Sequence, residues 1–148
     1  MAITVSAIAL SGGQGKTTNI FFLSLLLARL GHRVLVIDAN PQPDLTLYLG
    51  PDLEADSPSL LEVLTGKIKA EEAIYETSHE HLFILPCDRA LSQANNYLSN
   101  SGTGASILKL KLKQIVDEFD FILIDPQPSE SQISLSVVRR YGRPNLAI

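Results

Sequence analysis

Eight consecutive residues near the N-terminus, Ser11–Thr18, combine three glycines with a lysine and two threonines. Glycines allow the backbone N–H groups of a turn to face a bound anion, because no Cβ stands in the way. A lysine directly behind the last glycine can reach the β- and γ-phosphates of a nucleotide, and the next threonine hydroxyl can ligate Mg²⁺. These residue types at this spacing therefore predict phosphate binding together with a divalent cation.

An apolar segment of strand length, Ile3–Leu10, precedes this stretch, and a Leu-rich segment too long for a strand, Asn19–Leu30, follows it. Strand, glycine-rich turn and helix is the context that a phosphate-binding loop requires. The alternative is a glycine-rich turn before an ordinary helix, and the Lys-Thr pair directly behind glycine disfavours it. The residues predicted to bind the nucleotide are Ser11, Gly12, Gly13, Gln14, Gly15, Lys16, Thr17 and Thr18.

Two aspartates each end an apolar run. Val34–Ile37 is followed by Asp38, and Phe121–Ile124 is followed by Asp125. Continuous apolar runs are typical of strands covered on both faces of a parallel sheet, and ligands bind at the carboxyl edge of such sheets. The second run is typical of a Walker B strand, whose acid supports Mg²⁺ or its waters. For Asp38 taken alone, a turn or N-cap residue is an equally good interpretation.

These motifs resemble those of the ParA/MinD ATPases. The loop has the compact G-G-x-G-K-T-T form of that family, with Leu10 where the common G-x-x-x-x-G-K-[ST] pattern begins with glycine. Asp38–Gln42 resembles the family's switch I pattern D-x-D-P-Q, with Asn40 in place of the second acid. Asp125–Ser129 resembles its D-x-P-P pattern with one substitution. Ser11 stands where the family usually has a signature lysine, and in this serine the chain resembles the group that distributes carboxysomes in cyanobacteria.

The resemblance implies an Mg²⁺-dependent ATPase whose cofactors are ATP and Mg²⁺. It implies that Thr17, Asp38 and Asp125 form the metal site, and that Lys16, Asp38 and Asn40 take part in catalysis, Asn40 at best by orienting water. The implied partners are a second copy of the chain on ATP binding and an adaptor protein that stimulates turnover. The cargo would be a plasmid, a chromosome or a carboxysome. Nonspecific DNA binding belongs to longer relatives and is not expected of this chain alone.

The strands and helices expected around the loop and the two aspartates indicate an α/β fold of the P-loop NTPase type. We expect a parallel sheet with helices on both faces and with the Asp125 strand next to the Ile3–Leu10 strand. The helix after the loop is apolar on most of its faces, which predicts burial on several sides. A second helix is expected from Ala70 to about Glu76, and Ser59 with Glu62 predicts a capping box.

Composition agrees with a globular chain: of 148 residues, 45% are hydrophobic and 19% are charged. We expect one domain over residues 1–148. The net charge of −4 gives no overall attraction to nucleic acid or anionic membranes. A single cysteine, Cys87, suits a reducing cytoplasm, and no segment predicts a membrane span. A metal site at His79 and His81 is disfavoured because no further cluster of ligands is near in sequence.

The resemblance covers Ile3 to about Ser136, whereas family members are considerably longer. We therefore expect a truncated product or fragment that lacks the C-terminal part of the family. Two hypotheses stay open beside the ATPase: a nucleotide-binding module with little hydrolysis, because Ser11 and Asn40 replace two family residues, and an inactive remnant. The residues alone do not decide between ATP and GTP.

Overall fold

The computed structural model describes residues 2–6, 15–92, 104–126 and 146–147. Its strands are β1 (Ile3–Ser6), β2 (Val34–Ala39), β3 (Tyr75–Glu76), β4 (Leu82–Leu85), β5 (Phe121–Pro126) and β6 (Leu146–Ala147). Its α-helices are α1 (Lys16–Arg29), α2 (Asp44–Leu49), α3 (Leu60–Leu64) and α4 (Gly104–Leu112), and single 3₁₀ turns lie at Ala70–Ala73, Arg89–Leu91 and Val116–Glu118.

The described strands form one sheet in the order β3-β4-β2-β5-β1-β6. All neighbours are parallel except β3, which runs antiparallel to β4 at the edge. β5 lies between β1 and β2, so the predicted pairing of the Asp125 strand with the first strand is confirmed. The predicted first strand, Ile3–Leu10, is seen over Ile3–Ser6, and residues 7–10 lie outside the described residues.

The sheet is covered on both faces, as predicted. Along β2, Leu35 and Ile37 belong to one buried cluster and Val34 and Val36 to another, because successive side chains of a strand point to opposite faces. The first cluster includes residues of α3 and α4, and the second includes residues of α1 and α2. Continuous burial of β2 follows from this double cover and explains why its sequence is an unbroken apolar run.

Two predictions about helices are wrong. Helix α1 is not buried on several sides: its buried residues are Ile20, Ser24 and Ala28, while Phe22 is 62% and Leu26 is 56% exposed. The expected helix from Ala70 to Glu76 is a single 3₁₀ turn followed by the short strand β3. One fully buried stripe, at intervals of four residues, holds α1 on the sheet. The apolar side chains beside this stripe are only partly buried, and those of Phe22 and Leu26 face outward.

The predicted capping box is confirmed. Ser59 and Glu62 form the capping box that begins α3, with the Ser59 N–H and hydroxyl both donating to Glu62 Oε2 at 2.9 and 2.8 Å. His79 and His81 lie exposed beside β4, and the described part of the chain contains no cluster of three metal-ligating side chains. Among the same residues, no helix is long and apolar enough to cross a membrane.

Candidate functional site

Gly15 and Lys16 form the turn into α1. Gly15 has φ 73°, in the left-handed region that glycine takes without strain, and Lys16 is the first helical residue. The first turn of α1 carries no acidic side chain, and no side chain caps it. The backbone N–H groups of the first helical turn and the positive end of the helix dipole therefore favour an anion at this position.

Thr17 joins this helix start to the sheet. Its hydroxyl donates a hydrogen bond of 2.7 Å to Asp125 Oδ2, across 108 positions of sequence. Asp125 lies near the end of β5, the strand that pairs with β1. The bond therefore holds the beginning of α1 against the carboxyl edge of the sheet, as a phosphate loop beside a Walker B acid requires.

Asp38 and Asp125 lie opposite each other in register on the neighbouring strands β2 and β5. Both are buried, Asp38 at 0% and Asp125 at 1% exposure. Two buried carboxyl groups on adjacent strands repel one another when both are ionised, and a cation between or near them relieves that repulsion. Both acids thus occupy the edge of the sheet that the sequence predicted, beside the start of α1.

Asp38 is held by three hydrogen bonds. The Thr46 backbone N–H and hydroxyl both donate to Asp38 Oδ2, at 2.9 and 2.7 Å, and the Asn40 N–H donates to Oδ1 at 3.2 Å. Burial raises the pKa of Asp38 to about 7, because desolvation outweighs the lowering effect of these bonds, and the charge of Asp125 adds to the increase.

Asp125 is only partly satisfied. Oδ2 accepts the Thr17 hydroxyl, whereas Oδ1 is buried and has no hydrogen-bond partner among the described residues. Burial raises the pKa of Asp125, the Thr17 hydrogen bond and the Lys16 charge lower it, and Asp44 raises it further. A buried carboxylate oxygen is costly to leave unsatisfied, and it is also the type of oxygen that a divalent cation takes as a ligand.

Asn40 uses its side chain locally. Its Oδ1 accepts the Gln42 N–H at 3.0 Å, which closes the turn between β2 and α2. This contact accounts for an amide at position 40 as a turn residue. Whether the residue also orients water during catalysis stays a prediction.

Of the predicted nucleotide-binding residues, Gly15, Lys16, Thr17 and Thr18 are described and lie at the start of α1. Residues 11–14 lie outside the described part of the chain. Sequence reasoning missed Thr46, because a threonine within the short apolar helix α2 carries no signal that its hydroxyl faces an acid eight residues earlier.

Strand β1 is followed along the chain by the Gly15 turn and helix α1, and Thr17 of this helix is bonded to Asp125 on β5, the strand next to β1. This arrangement defines a P-loop α/β domain. The chain belongs to the AAA_31 family, described as an AAA domain, whose family model matches residues 2–138.

Curated proteins of similar sequence confirm the resemblance to the ParA/MinD ATPases, a narrower class than the P-loop α/β domains. The chain is 42% identical, over 91% of its length, to "Maintenance of carboxysome distribution protein A" of Gloeothece citriformis, and covers 52% of that protein. It is 32% identical, over 92% of its length, to the chromosome-partitioning ATPase Soj of Treponema pallidum, and covers 53% of it. The chain thus spans about half the length of the curated relatives it matches.

Solved structures agree with the sequence relatives. Apo McdA of Cyanothece superposes with a TM-score of 0.89 at 41% identity, over 93% of this chain and 54% of that one. An McdA variant in complex with ATP superposes with a TM-score of 0.88 at 42% identity, over 93% of this chain and 52% of that one. Cobyrinic acid a,c-diamide synthase of Mycobacterium smegmatis, with bound ADP and magnesium, has a TM-score of 0.88 at 30% identity, over 93% and 56% of the two chains.

Proposed function

We propose that this chain is the nucleotide-binding part of a ParA-type ATPase, which binds ATP with Mg²⁺ and hydrolyses it to position or partition a cellular cargo. The observation that carries the proposal is the 2.7 Å hydrogen bond from the Thr17 hydroxyl to Asp125. Asp125 in turn lies in register with Asp38 on the neighbouring strand. This arrangement places the helix start that would face the phosphates beside two acids that would face the cation. We treat residues 1–148 as a single ATPase domain.

The residues at this edge fit Mg²⁺. Hydroxyl and carboxylate oxygens are the hard ligands that Mg²⁺ prefers, and Asp125 Oδ1 is a buried oxygen without a hydrogen-bond partner among the described residues. Thr17, Asp38 and Asp125 would hold the ion, Asp38 through a water. The bound ion would neutralise charge on the phosphates.

The phosphates would lie against the loop Ser11–Thr18. Gly15 in its left-handed conformation and the uncapped start of α1 support this assignment for the described part of the loop. Lys16 would place its ammonium group at the β- and γ-phosphates, where negative charge develops during transfer. In catalysis we assign Lys16 to charge stabilisation, Asp38 to the cation's waters and Asn40 to the attacking water.

The proposed cargo and partners follow from the relatives. One is a protein of carboxysome distribution and another a chromosome-partitioning ATPase, so the cargo would be a carboxysome, a chromosome or a plasmid. The partners would be a second copy of the chain on ATP binding and an adaptor that stimulates turnover, with nonspecific DNA binding reserved for longer relatives. The proposed compartment is the cytoplasm, where ATP and Mg²⁺ are abundant.

A second candidate is a nucleotide-binding module with little hydrolysis. Asn40 favours it, because an amide replaces the second switch I acid and its oxygen already accepts the Gln42 N–H. Ser11 favours it as well, since serine cannot supply the cation that a signature lysine gives to the partner's nucleotide.

Calorimetric titration with ATP in the presence of MgCl₂ tests the proposal. We expect the wild-type chain to bind ATP and Lys16→Ala to lose tight binding, while Lys113→Ala, which removes an exposed lysine after α4, binds as the wild type does. Release of phosphate by the wild type above the Lys16→Ala background separates the ATPase from the binding module. Equal affinities of wild type and Lys16→Ala would contradict the phosphate-loop assignment.

A further inference from the structure

Thr46 contacts one carboxylate oxygen of Asp38 through two hydrogen-bond donors. Its backbone N–H and its hydroxyl both donate to Oδ2, and both groups are buried in the helix α2 that follows β2. A carboxylate oxygen offers about two lone-pair positions. The two donors of Thr46 therefore fill the acceptor capacity of Asp38 Oδ2.

The direction of the Thr46 hydroxyl is fixed by the strand β4. The Cys87 N–H, just beyond the end of β4, donates to Thr46 Oγ1 at 3.2 Å. Because Oγ1 accepts from Cys87, its single proton remains for Asp38 Oδ2. The chain of bonds from Cys87 through Thr46 to Asp38 links the carboxyl ends of two neighbouring strands, β4 and β2.

Asp38 Oδ1 has a different environment. It accepts the Asn40 N–H at the longer distance of 3.2 Å and keeps acceptor capacity that Oδ2 has lost. The side chain of Asp38 lies next to Asp125, whose Oδ1 is orphaned among the described residues. One open oxygen on each acid is what a shared cation with water ligands needs.

We propose that Thr46 is a positioning residue for the nucleotide-bound cation: it occupies Asp38 Oδ2 and leaves Oδ1 as the oxygen that accepts a water of Mg²⁺. This inference rests on the proposed function, because it assigns to Thr46 a part in the same metal site. Thr46 itself touches neither nucleotide nor metal in this scheme. It acts by fixing which face of the Asp38 carboxylate stays open.

The test measures the Mg²⁺ dependence of ATP binding by the full 148-residue chain. ATP affinity is determined by calorimetry across a range of MgCl₂ concentrations and again in EDTA, for the wild type, Thr46→Val and Thr46→Ser. Thr65→Val is the matched control, because it removes the hydroxyl of the threonine that caps the end of α3, which donates to the Leu61 carbonyl and not to either acid. If Thr46→Val does not fold, Thr46→Ala replaces it, since the smaller side chain adds no methyl group beside the carboxylate.

For Thr46→Val we expect roughly a tenfold higher MgCl₂ concentration at half-saturation, as for the loss of one hydrogen bond to a charged group. Its affinity in EDTA should match the wild type, and Thr46→Ser and Thr65→Val should show the wild-type Mg²⁺ dependence. An unchanged Mg²⁺ dependence in Thr46→Val, an equal loss in EDTA, or a failure of serine to rescue would overturn the inference. Absence of Mg²⁺-dependent ATP binding in the wild type would instead overturn the proposed function, and the inference with it.

Discussion

The two acids of the site have the same place in the sheet but different surroundings. Asp38 accepts three hydrogen bonds, whereas Asp125 accepts one from Thr17 and leaves Oδ1 without a partner among the described residues. The sequence predicted the position of both acids, because each directly follows an apolar run. It did not predict their hydrogen bonds, since only the fold brings the Thr46 hydroxyl to Asp38 and the Cys87 N–H to Thr46.

The raised pKa of Asp38 predicts a dependence of stability on pH. Burial raises this pKa to about 7, whereas an unfolded aspartate titrates at about 3.9. Between these values the folded chain binds a proton that the unfolded chain has lost, so the free energy of unfolding falls as pH rises. In EDTA we expect the wild type to lose of order 3 kcal/mol between about pH 5 and about pH 8 through this group.

Asp38→Asn should lose most of this pH dependence, because an amide does not titrate. The pH dependence that remains in this variant reflects Asp125, whose pKa is also raised by burial. Thermal denaturation at the two pH values measures the effect, and Asp52→Asn, which changes an exposed acid, should keep the wild-type dependence. Identical pH profiles for Asp38→Asn and the wild type would show that Asp38 is ionised in the folded chain throughout this range.

Asn40→Asp restores the acid of the switch I pattern. If position 40 orients the attacking water, a carboxylate there should increase the rate of phosphate release, by up to the roughly 10²–10⁴-fold that general-base assistance typically contributes. ATP affinity should change little, because the residue lies beyond the phosphate loop. Gln42→Glu adds an acid two residues away and serves as the control. A rate unaffected by Asn40→Asp would mean that another group holds the water.

The strands were more predictable than the helices. Runs such as Val34–Ile37 and Phe121–Ile124 are buried on both faces, so their composition reports directly on the parallel sheet. Helix α1 illustrates the limit, because its many apolar residues predicted burial on several sides and only one stripe is fully buried. The number of neighbours that cover a helix is a property of the fold, and apolar content alone does not determine it.

Substitutions within α1 should separate its two faces. Ile20 is fully buried against the sheet, whereas Leu26 is 56% exposed. We expect Ile20→Ala to lower the free energy of unfolding by about 2–5 kcal/mol, through lost burial and a residual cavity. Leu26→Ala should change it by less than about 1 kcal/mol, because alanine has the higher helix propensity and little packing is lost. Chemical denaturation of both variants measures the difference, and equal losses would mean that the outer face of α1 is covered in solution.

At the scale of the whole molecule, four of the seven large exposed apolar side chains among the described residues lie on α1 and α2. Helices α1 and α2 expose an apolar face made of Phe22, Leu26, Leu47 and Tyr48, and Phe21 connects them through edge-to-face ring contacts with Phe22 and Tyr48. On the opposite side of the sheet, helix α4 exposes Leu110. Contiguous exposed apolar surface promotes association, whereas single exposed residues do not.

We therefore predict that the 148-residue chain self-associates at micromolar concentration without nucleotide, through the apolar face of α1 and α2. The net charge of −4 gives only weak repulsion between copies, and salt screens it further. Light scattering should show a mean mass above that of the monomer. The double substitution Leu26→Gln/Leu47→Gln should shift the distribution toward monomer, whereas Leu110→Gln should not. Monodisperse monomer for the wild type would show that the apolar face of α1 and α2 tolerates water, and an effect of Leu110→Gln alone would place the contact on the other side of the sheet.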